Sequence, residues 1–282
     1  MQQASNIFTI LKQAKEFLTS HNITEAQLDA EVLLCGVLEI PRSKLSTIRQ
    51  EVLTQEQYQK YQKFLNKRIT GEPVDYILET SEFMGLQFKV NSNVLIPRPE
   101  TELIVEQANK FIKENNSKTV LDLCTGSGAI AVSVAYYNDN ISVIASDISK
   151  NALQVAKDNA ATNKVSDKIE FIESNMFDNI IGKKFDIIIS NPPYVTEKEY
   201  EDLEKEIFFE PKNAFLAGKD GLDFYRIIAN KVSQYLTPKG ILLLELNANI
   251  SLQIANLFED FLFVKILKDY SNFDRILIAQ NG

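Results

Sequence analysis

Val120-Leu121-Asp122-Leu123-Cys124-Thr125-Gly126-Ser127-Gly128 runs from a short apolar stretch into a small, glycine-rich turn. Ala129-Ile130-Ala131-Val132-Ser133-Val134-Ala135 follows and reads as a helix. The order is strand, tight loop, helix. Gly126 and Gly128 let the backbone turn sharply and come close to a ligand. The next apolar run, Ile141 to Ser146, ends in Asp147. An acid at the end of the second strand, about twenty residues past the glycines, suits ribose hydroxyls. Its bland alternative is an aspartate that merely ends a strand. Outward from this unit, strands are expected at 119–123, 141–146, 168–172, 185–190, 240–246, 262–268 and 274–279. Helices are expected between them at 129–137, 149–162, 222–236 and 250–258. This alternation predicts an α/β fold, a doubly wound sheet with a mixed end. Such sheets bind ligands at the carboxyl ends of their strands.

Asn191-Pro192-Pro193-Tyr194 follows the apolar run Phe185 to Ser190, which reads as a buried strand. An asparagine there can grip a planar NH2 group. Its side-chain carbonyl accepts one hydrogen, and the backbone carbonyl of Pro192 can accept the other. The prolines stiffen the turn, and Pro193 removes a competing donor. Tyr194 offers a ring face to a flat amide or base. By itself the segment is also a plain strand-ending turn, because Asn-Pro is a common turn pair. Loop, acid and Asn-Pro-Pro-Tyr, in order and each at a strand end, carry more weight together.

Together these residues resemble class I S-adenosylmethionine-dependent methyltransferases, and within them the HemK-type release-factor glutamine N5-methyltransferases. Asn-Pro-Pro-Tyr is shared with enzymes that methylate adenine, so it does not select the family. Leu95-Ile96-Pro97-Arg98-Pro99-Glu100-Thr101-Glu102 does. Gly71-Glu72-Pro73-Val74-Asp75-Tyr76, Phe209-Glu210-Pro211, Gly218-Lys219-Asp220-Gly221-Leu222 and Asp274-Arg275 match further blocks, so the resemblance covers almost the whole chain. It implies a Rossmann-like methyltransferase sheet with a small all-helical N-terminal domain joined by a β-hairpin. The implied cofactor is S-adenosyl-L-methionine, held by Cys124, Thr125, Gly126, Ser127, Gly128, Asp147, Asn175, Met176 and Asn191. The implied substrate is the glutamine of the Gly-Gly-Gln tip of peptide chain release factors. Asn191, Pro192, Pro193 and Tyr194 would bind it, with Asn191, Pro192 and Tyr194 serving the chemistry.

The chain departs from the family at four places. Cys124 stands where the loop has its first glycine; cysteine is small, and the loop survives if its backbone there is not left-handed. Asn175 replaces an aspartate that accepts from the adenine amino group. It still accepts through its amide oxygen, with less charge assistance. Leu246-Asn247 replaces Ile-Gly, and Glu79 stands where a hairpin glycine is usual.

The net charge of −8 argues against affinity for a phosphate backbone, which asks for a basic surface. This weighs against a rival reading, an adenine-N6 methyltransferase on RNA or DNA. A second rival, a non-catalytic docking module of the same fold, has no need of loop, acid and Asn-Pro-Pro-Tyr together. Two cysteines far apart in sequence, Cys35 and Cys124, and a single histidine, His21, leave no metal-ligand cluster, so no metal is expected. The apolar runs are too short to span a bilayer, and the opening residues lack a secretory pattern. The expectation is a cytoplasmic monomer that contacts a protein substrate, with neither direct nucleic-acid contact nor a membrane.

Three domains are expected: a helical docking domain over 1–79, a hairpin linker over 80–96 and a methyltransferase domain over 97–282. Residues 5–71 read as wholly helical. Thr24-Glu25-Ala26-Gln27 and Thr54-Gln55-Glu56-Gln57 both have capping-box form. Tyr58, Tyr61, Leu65 and Ile69 mark the apolar side of one helix. Lys60, Lys63, Lys67 and Arg68 lie along the same helix, and the spacing puts the three lysines roughly on one face, either a solvated face or a patch for an acidic partner. The long stretch 195–220, acidic at first, reads as a lid.

Overall fold

The structure is a computed structural model describing residues 6–282. Met1–Ser5, on which the reading of the N-terminus rests, lie outside the described residues. The chain divides into two compact units. One comprises the chain up to Glu79 with Lys205–Phe209; the other comprises Thr80–Glu204 and Glu210–Gly282.

The first unit is built of α1 (Ile7–Ser20), α2 (Ala26–Leu38), α3 (Gln55–Arg68) and the short α4 (Val74–Leu78). Ile7, Ile10, Ala14 and Leu18 face one core with Leu33, Leu34, Tyr61 and Leu65. The phenol of Tyr61 donates to the carbonyl of Ala30 at 2.8 Å, which satisfies its buried hydroxyl. Thr54 caps α3 in a full capping box with Gln57. The same pattern at Thr24 forms no box. Helix α2 begins at Ala26, and its N-cap, Glu25, makes no side-chain cap bond. Nor is the region helical throughout, because residues between α2 and α3 form turns and a single 3-10 segment, Arg42–Lys44. Arg68, near the end of α3, does not share the exposure of the charged residues on that helix. It is buried, with Nε donating to Asp29 at 2.6 Å and Nη2 paired with Glu206. Tyr58 is exposed rather than part of the core.

Glu79 ends α4 in the left-handed region, with φ 57°. It is exposed, so no packing holds a side chain there. Glycine suits this position because a Cβ in that region is strained. Glu79→Gly is therefore expected to raise stability by about 1 kcal/mol, read as an upward shift of the thermal midpoint.

The second unit opens with the hairpin β1 (Thr80–Phe83) and β2 (Leu86–Lys89). Its two-residue turn, Met84-Gly85, has both φ angles positive, as a tight hairpin requires. The non-glycine half of that turn is anchored on both sides. Met84 N–H donates to Glu102 at 2.6 Å, and its carbonyl accepts from Tyr137 at 2.6 Å.

The remaining strands are β3 (Thr119–Leu123), β4 (Ser142–Asp147), β5 (Ile169–Glu173), β6 (Phe185–Ser190), β7 (Leu236–Glu245), β8 (Phe263–Lys268) and β9 (Asp274–Gln280). They form one sheet in the order β5-β4-β3-β6-β7-β9-β8. The first five run parallel, and β9 pairs antiparallel with β7 and β8. This is the doubly wound sheet with a mixed end. Strand order reverses between β3 and β6, the point where such sheets open a crevice. Helices α5 (Glu102–Asn115), α6 (Ala129–Tyr137) and α7 (Lys150–Thr162), with α9 (Asp223–Lys231) and α10 (Ser251–Asn256), accompany the strands.

Alternation divides the sheet's side chains between two cores. Val120, Ile187 and Ile189 join one, with α5 and α6. Leu121, Leu123 and Ile188 join the other, with Tyr225 and Ile254. Burial on both faces explains why these strands are almost continuously apolar. The stretch 195–220 is not a bare loop: it carries α8 (Glu197–Glu201) and two 3-10 segments, Lys205–Phe209 and Lys212–Ala214.

Candidate active site

Register places the site. Leu123 of β3 pairs with Ser190 of β6, and Ser190 with Leu244 of β7. The next residues of these parallel strands are Cys124, Asn191 and Glu245, which therefore emerge side by side at the carboxyl edge. On the other flank of β3, Leu123 pairs with Ser146, so Asp147 ends β4 beside the glycine loop.

A cavity of about 560 Å³ opens along this edge, a size suited to a small-molecule cofactor. Cys124, Gly126, Asp147, Asn175, Met176, Asn191 and Pro193 all line it. Its rim takes Asn93 and Val94 with Leu95, the first residue of the family signature, and Pro211 to Ala214 from after Glu210. Thr125, Ser127 and Gly128 do not line it. They hold the loop from behind. Thr125 donates to Asp122 at 2.6 Å, and the Ser127 carbonyl accepts from Asn159 at 2.9 Å. A Cβ on Gly128 would stand 2.9 Å from that of Ala156, so only glycine lets the loop pack on α7. A Cβ on Gly126, by contrast, would meet no protein atom within 4 Å, which marks open space for a ligand beside the loop.

Asp147 is anchored by the backbone. Oδ2 accepts from Gly126 N–H at 2.9 Å and Oδ1 from Ser149 N–H at 2.9 Å. Each oxygen keeps a second acceptor direction for a hydroxyl. Burial raises its pKa, and those backbone donors oppose the rise. Asp122, at the end of β3, is a residue that sequence reasoning left unassigned. It accepts from Thr125 and from Ala131 N–H at 3.2 Å, so it fixes both ends of the loop. Burial pushes its carboxyl up to about 7, and the charge of Asp147 adds to the effect.

Cys124 is left-handed, with φ 60°. The proviso attached to its substitution for glycine is not met, yet the loop forms. Its sulfur lies 3.7 Å from that of Met176, itself at φ 50°. Two non-glycine residues are thus strained on one cavity wall, as functional sites tolerate when their surroundings determine the backbone. Burial raises the Cys124 thiol far above its ordinary pKa, so it is not poised as a nucleophile.

Asn191 is half-buried, and its Nδ2 donates to Thr101 Oγ1 at 3.3 Å. Among the described residues its Oδ1 has no partner, and Asn191 lies on the cavity wall. Tyr194 is half-buried; burial, with Glu245 nearby, pushes its phenol up to about 12, so it stays neutral. A Cβ on Gly221 would stand 2.6 Å from the Tyr194 carbonyl, so the Gly218–Leu222 block backs the Asn-Pro-Pro-Tyr turn. Glu210, buried, accepts from Ile96 N–H at 2.9 Å and pairs with Arg98. That contact binds the Ile-Pro-Arg-Pro-Glu signature to the Phe-Glu-Pro block and ties the two rims together. Arg275 pairs with Asp269 at 2.9 Å, and Asp274 with Lys268 at 3.1 Å. Among the described residues no His, Cys, Asp and Glu cluster could hold a metal, and no helix is long and apolar enough to cross a membrane.

Of the Asn-Pro-Pro-Tyr segment, Asn191 and Pro193 line the cavity and Pro192 and Tyr194 do not. A doubly wound sheet of this order, with a glycine loop, a strand-end aspartate and the start of Asn-Pro-Pro-Tyr at one cavity, defines a Rossmann-like methyltransferase. Residues 9–78 match the PrmC N-terminal domain and residues 100–235 the Methyltransferase small domain. A release factor glutamine methyltransferase of Buchnera aphidicola is 40% identical over 278 residues, covering 98% of this chain and 99% of that one. One from Clostridium acetobutylicum is 38% identical over 259 residues, covering 90% and 91%. The chain belongs to the release factor glutamine methyltransferase family. Solved structures agree on the fold. The hMettl16 catalytic domain in complex with an RNA hairpin has a TM-score of 0.56 at 14% identity, covering 81% of this chain and 82% of that one. A T. thermophilus 16S rRNA N2 G1207 methyltransferase in complex with AdoMet and guanosine has a TM-score of 0.52 at 18% identity, over 72% of this chain and 50% of that one.

Proposed function

We propose that this chain methylates the side-chain amide nitrogen, N5, of the glutamine in the Gly-Gly-Gln motif of peptide chain release factors, with S-adenosyl-L-methionine as donor. The observation that carries the reading is Asn191. Its Nδ2 is tied back to Thr101, and its Oδ1 is left unpartnered on a cavity wall shared with Asp147 and the glycine loop. When bound, S-adenosyl-L-methionine supplies an electrophilic methyl on a sulfonium.

An amide nitrogen is a poor nucleophile, because its lone pair is delocalised into the carbonyl. Asn191 Oδ1 accepts one of its hydrogens and the Pro192 carbonyl the other. This aims the nitrogen and favours the rehybridised transition state. Tyr194 holds the flat amide by its ring face. Positioning supplies much of the rate, since well-oriented pairs gain roughly 7–11 kcal/mol. The nitrogen becomes acidic as it is alkylated, so water suffices to take the proton, and no histidine is needed. Asp147 would receive the ribose hydroxyls, Asn175 and Met176 would hold the adenine, and Cys124 and Gly126 would leave the donor room beside the loop. Thr125, Ser127 and Gly128 keep that loop in shape.

The helical domain, residues 1–79, docks the release factor, with residues 80–96 as connecting hairpin and 97–282 as methyltransferase domain. Lys63 and Lys67 line an open groove on α3, where Lys67 pairs with Glu72 at 3.0 Å and Lys63 is the charge offered to an acidic protein surface. The enzyme acts as a cytoplasmic monomer without direct nucleic-acid contact, in keeping with its net charge of −8.

Mass spectrometry of purified release factor incubated with this protein and S-adenosyl-L-methionine tests the reading. One added methyl on the tip glutamine is expected, and none on a release factor with alanine at that position. No gain on the wild-type factor would refute the assignment, and tight binding of nucleic acid at moderate salt would instead favour an adenine substrate.

A further inference from the structure

Asn191 works only if its carboxamide faces the right way. Turned by half a rotation, the group would present NH2 to the substrate nitrogen, donor against donor. A carboxamide is nearly symmetric in shape, so packing alone does not choose between the two orientations; hydrogen bonds do.

The choice is made at Thr101. Asn191 Nδ2 donates to Thr101 Oγ1 at 3.3 Å, and Thr101 Oγ1 donates to Glu245 Oε2 at 2.6 Å. A hydroxyl has one hydrogen. While that hydrogen goes to Glu245, the oxygen can only accept toward Asn191, and only the NH2 end of the carboxamide satisfies it. The short distance to Glu245 marks a charge-assisted bond. Thr101 and Glu245 are both buried, so water does not stand in for either partner. Neither lines the cavity.

We infer that Thr101 and Glu245 are positioning residues, a buried relay that fixes the Asn191 carboxamide with its oxygen toward the substrate amide. The inference rests on the role proposed for Asn191. It assigns a task to the threonine of the Pro-Glu-Thr-Glu segment and to the acid ending β7.

The relay has a polarity that protonation reverses. A protonated Glu245 donates to Thr101, which frees the hydroxyl hydrogen to point at Asn191 and accommodates the flipped carboxamide. Burial pushes Glu245 up to about 7; Thr101 and the charges of Arg275 and Arg98 oppose this, and Glu100 adds to it. Two tyrosines also face it. Tyr225 donates to the Glu245 backbone carbonyl at 2.8 Å, and both Tyr225 and Tyr194 stay neutral because burial raises their phenols. Glu245 is therefore the member of this group whose charge changes near neutral pH. Turnover rises with pH as the carboxylate forms.

The test measures kcat and KM for release-factor methylation, and the Kd for S-adenosyl-L-methionine, in four variants. Thr101→Val is expected to lower kcat about tenfold, the worth of one oriented hydrogen bond, with cofactor Kd within twofold. Thr101→Ser restores most of the rate. Glu245→Gln lowers kcat and flattens the acid limb of its pH profile. The double variant Thr101→Val/Glu245→Gln is no slower than Thr101→Val alone, because the two act in series. Wild-type kcat in a Thr101→Val protein that binds cofactor normally would overturn the relay, as would additive losses in the double variant. If Thr101→Val does not fold, an unchanged acid limb in Glu245→Gln overturns it equally. Asn191→Ala run alongside separates the two readings. An active Asn191→Ala enzyme refutes the role of Asn191 itself; an inactive one beside a fully active Thr101→Val enzyme refutes only the relay.

Discussion

Asn191→Ala is expected to lower methyl transfer about 10²–10³-fold while leaving S-adenosyl-L-methionine binding within a few-fold, the scale on which one preorganised transition-state contact acts. The variant removes the acceptor that aims the substrate nitrogen. It leaves the Asp147 carboxylate, the glycine loop and Asn175 untouched. Its structural price is small, since Asn191 makes one long side-chain bond, to Thr101. Calorimetry with the cofactor and a methyl-transfer assay on release factor read the two quantities separately. The signature is a loss in kcat without a matching loss in cofactor affinity. Parallel losses in both would mean that Asn191 serves the cavity wall and not the chemistry, and full activity would remove it from the mechanism.

Asp147→Ala is expected to act in the opposite sense, weakening cofactor binding about 10²–10³-fold. Two effects combine. The ribose hydroxyls lose a charged acceptor, worth about 1.5–3 kcal/mol per bond. The loop also loses its anchor, because Asp147 accepts from Gly126 N–H and Ser149 N–H. Asp147→Asn retains one acceptor oxygen and should fall between wild type and alanine. The direction of pH dependence follows from the carboxylate. Its pKa is raised by burial, and the ionised form is the one that binds. Affinity is therefore held at higher pH and lost as pH falls through that raised pKa, earlier in acidification than for an exposed aspartate. Calorimetric titration across pH checks this. Affinity unchanged in Asp147→Ala would leave the residue only its role as a strand end.

The parallel sheet was legible because its strands are buried on both faces and read as unbroken apolar runs. β3 and β6 lie at the predicted positions, 119–123 and 185–190, and the remaining sheet strands agree within a few residues. The helical domain was less legible. The Thr24 pattern is chemically a capping box but is not used as one, since α2 starts at Ala26 with Glu25 in the cap position. Arg68 was legible only as a basic residue on the same helix as three lysines. Pattern alone has no way to show that Asp29 and Glu206, 39 and 138 residues distant, are folded against it. The left-handed backbone at Cys124 was likewise invisible, because cysteine carries no mark of positive φ.

From residues alone came the class of fold, the order of glycine loop, acid and Asn-Pro-Pro-Tyr, and the family, since each is written in short contiguous segments whose local chemistry is self-sufficient. Only the tertiary structure decided which distant groups meet. Strand register set Cys124, Asn191 and Glu245 abreast, Glu210 joined two motifs 114 residues apart, and Thr101 came to lie between Asn191 and Glu245. The physical reason is that a hydrogen bond depends on separation in space and on burial, and neither is a property of any single stretch of chain.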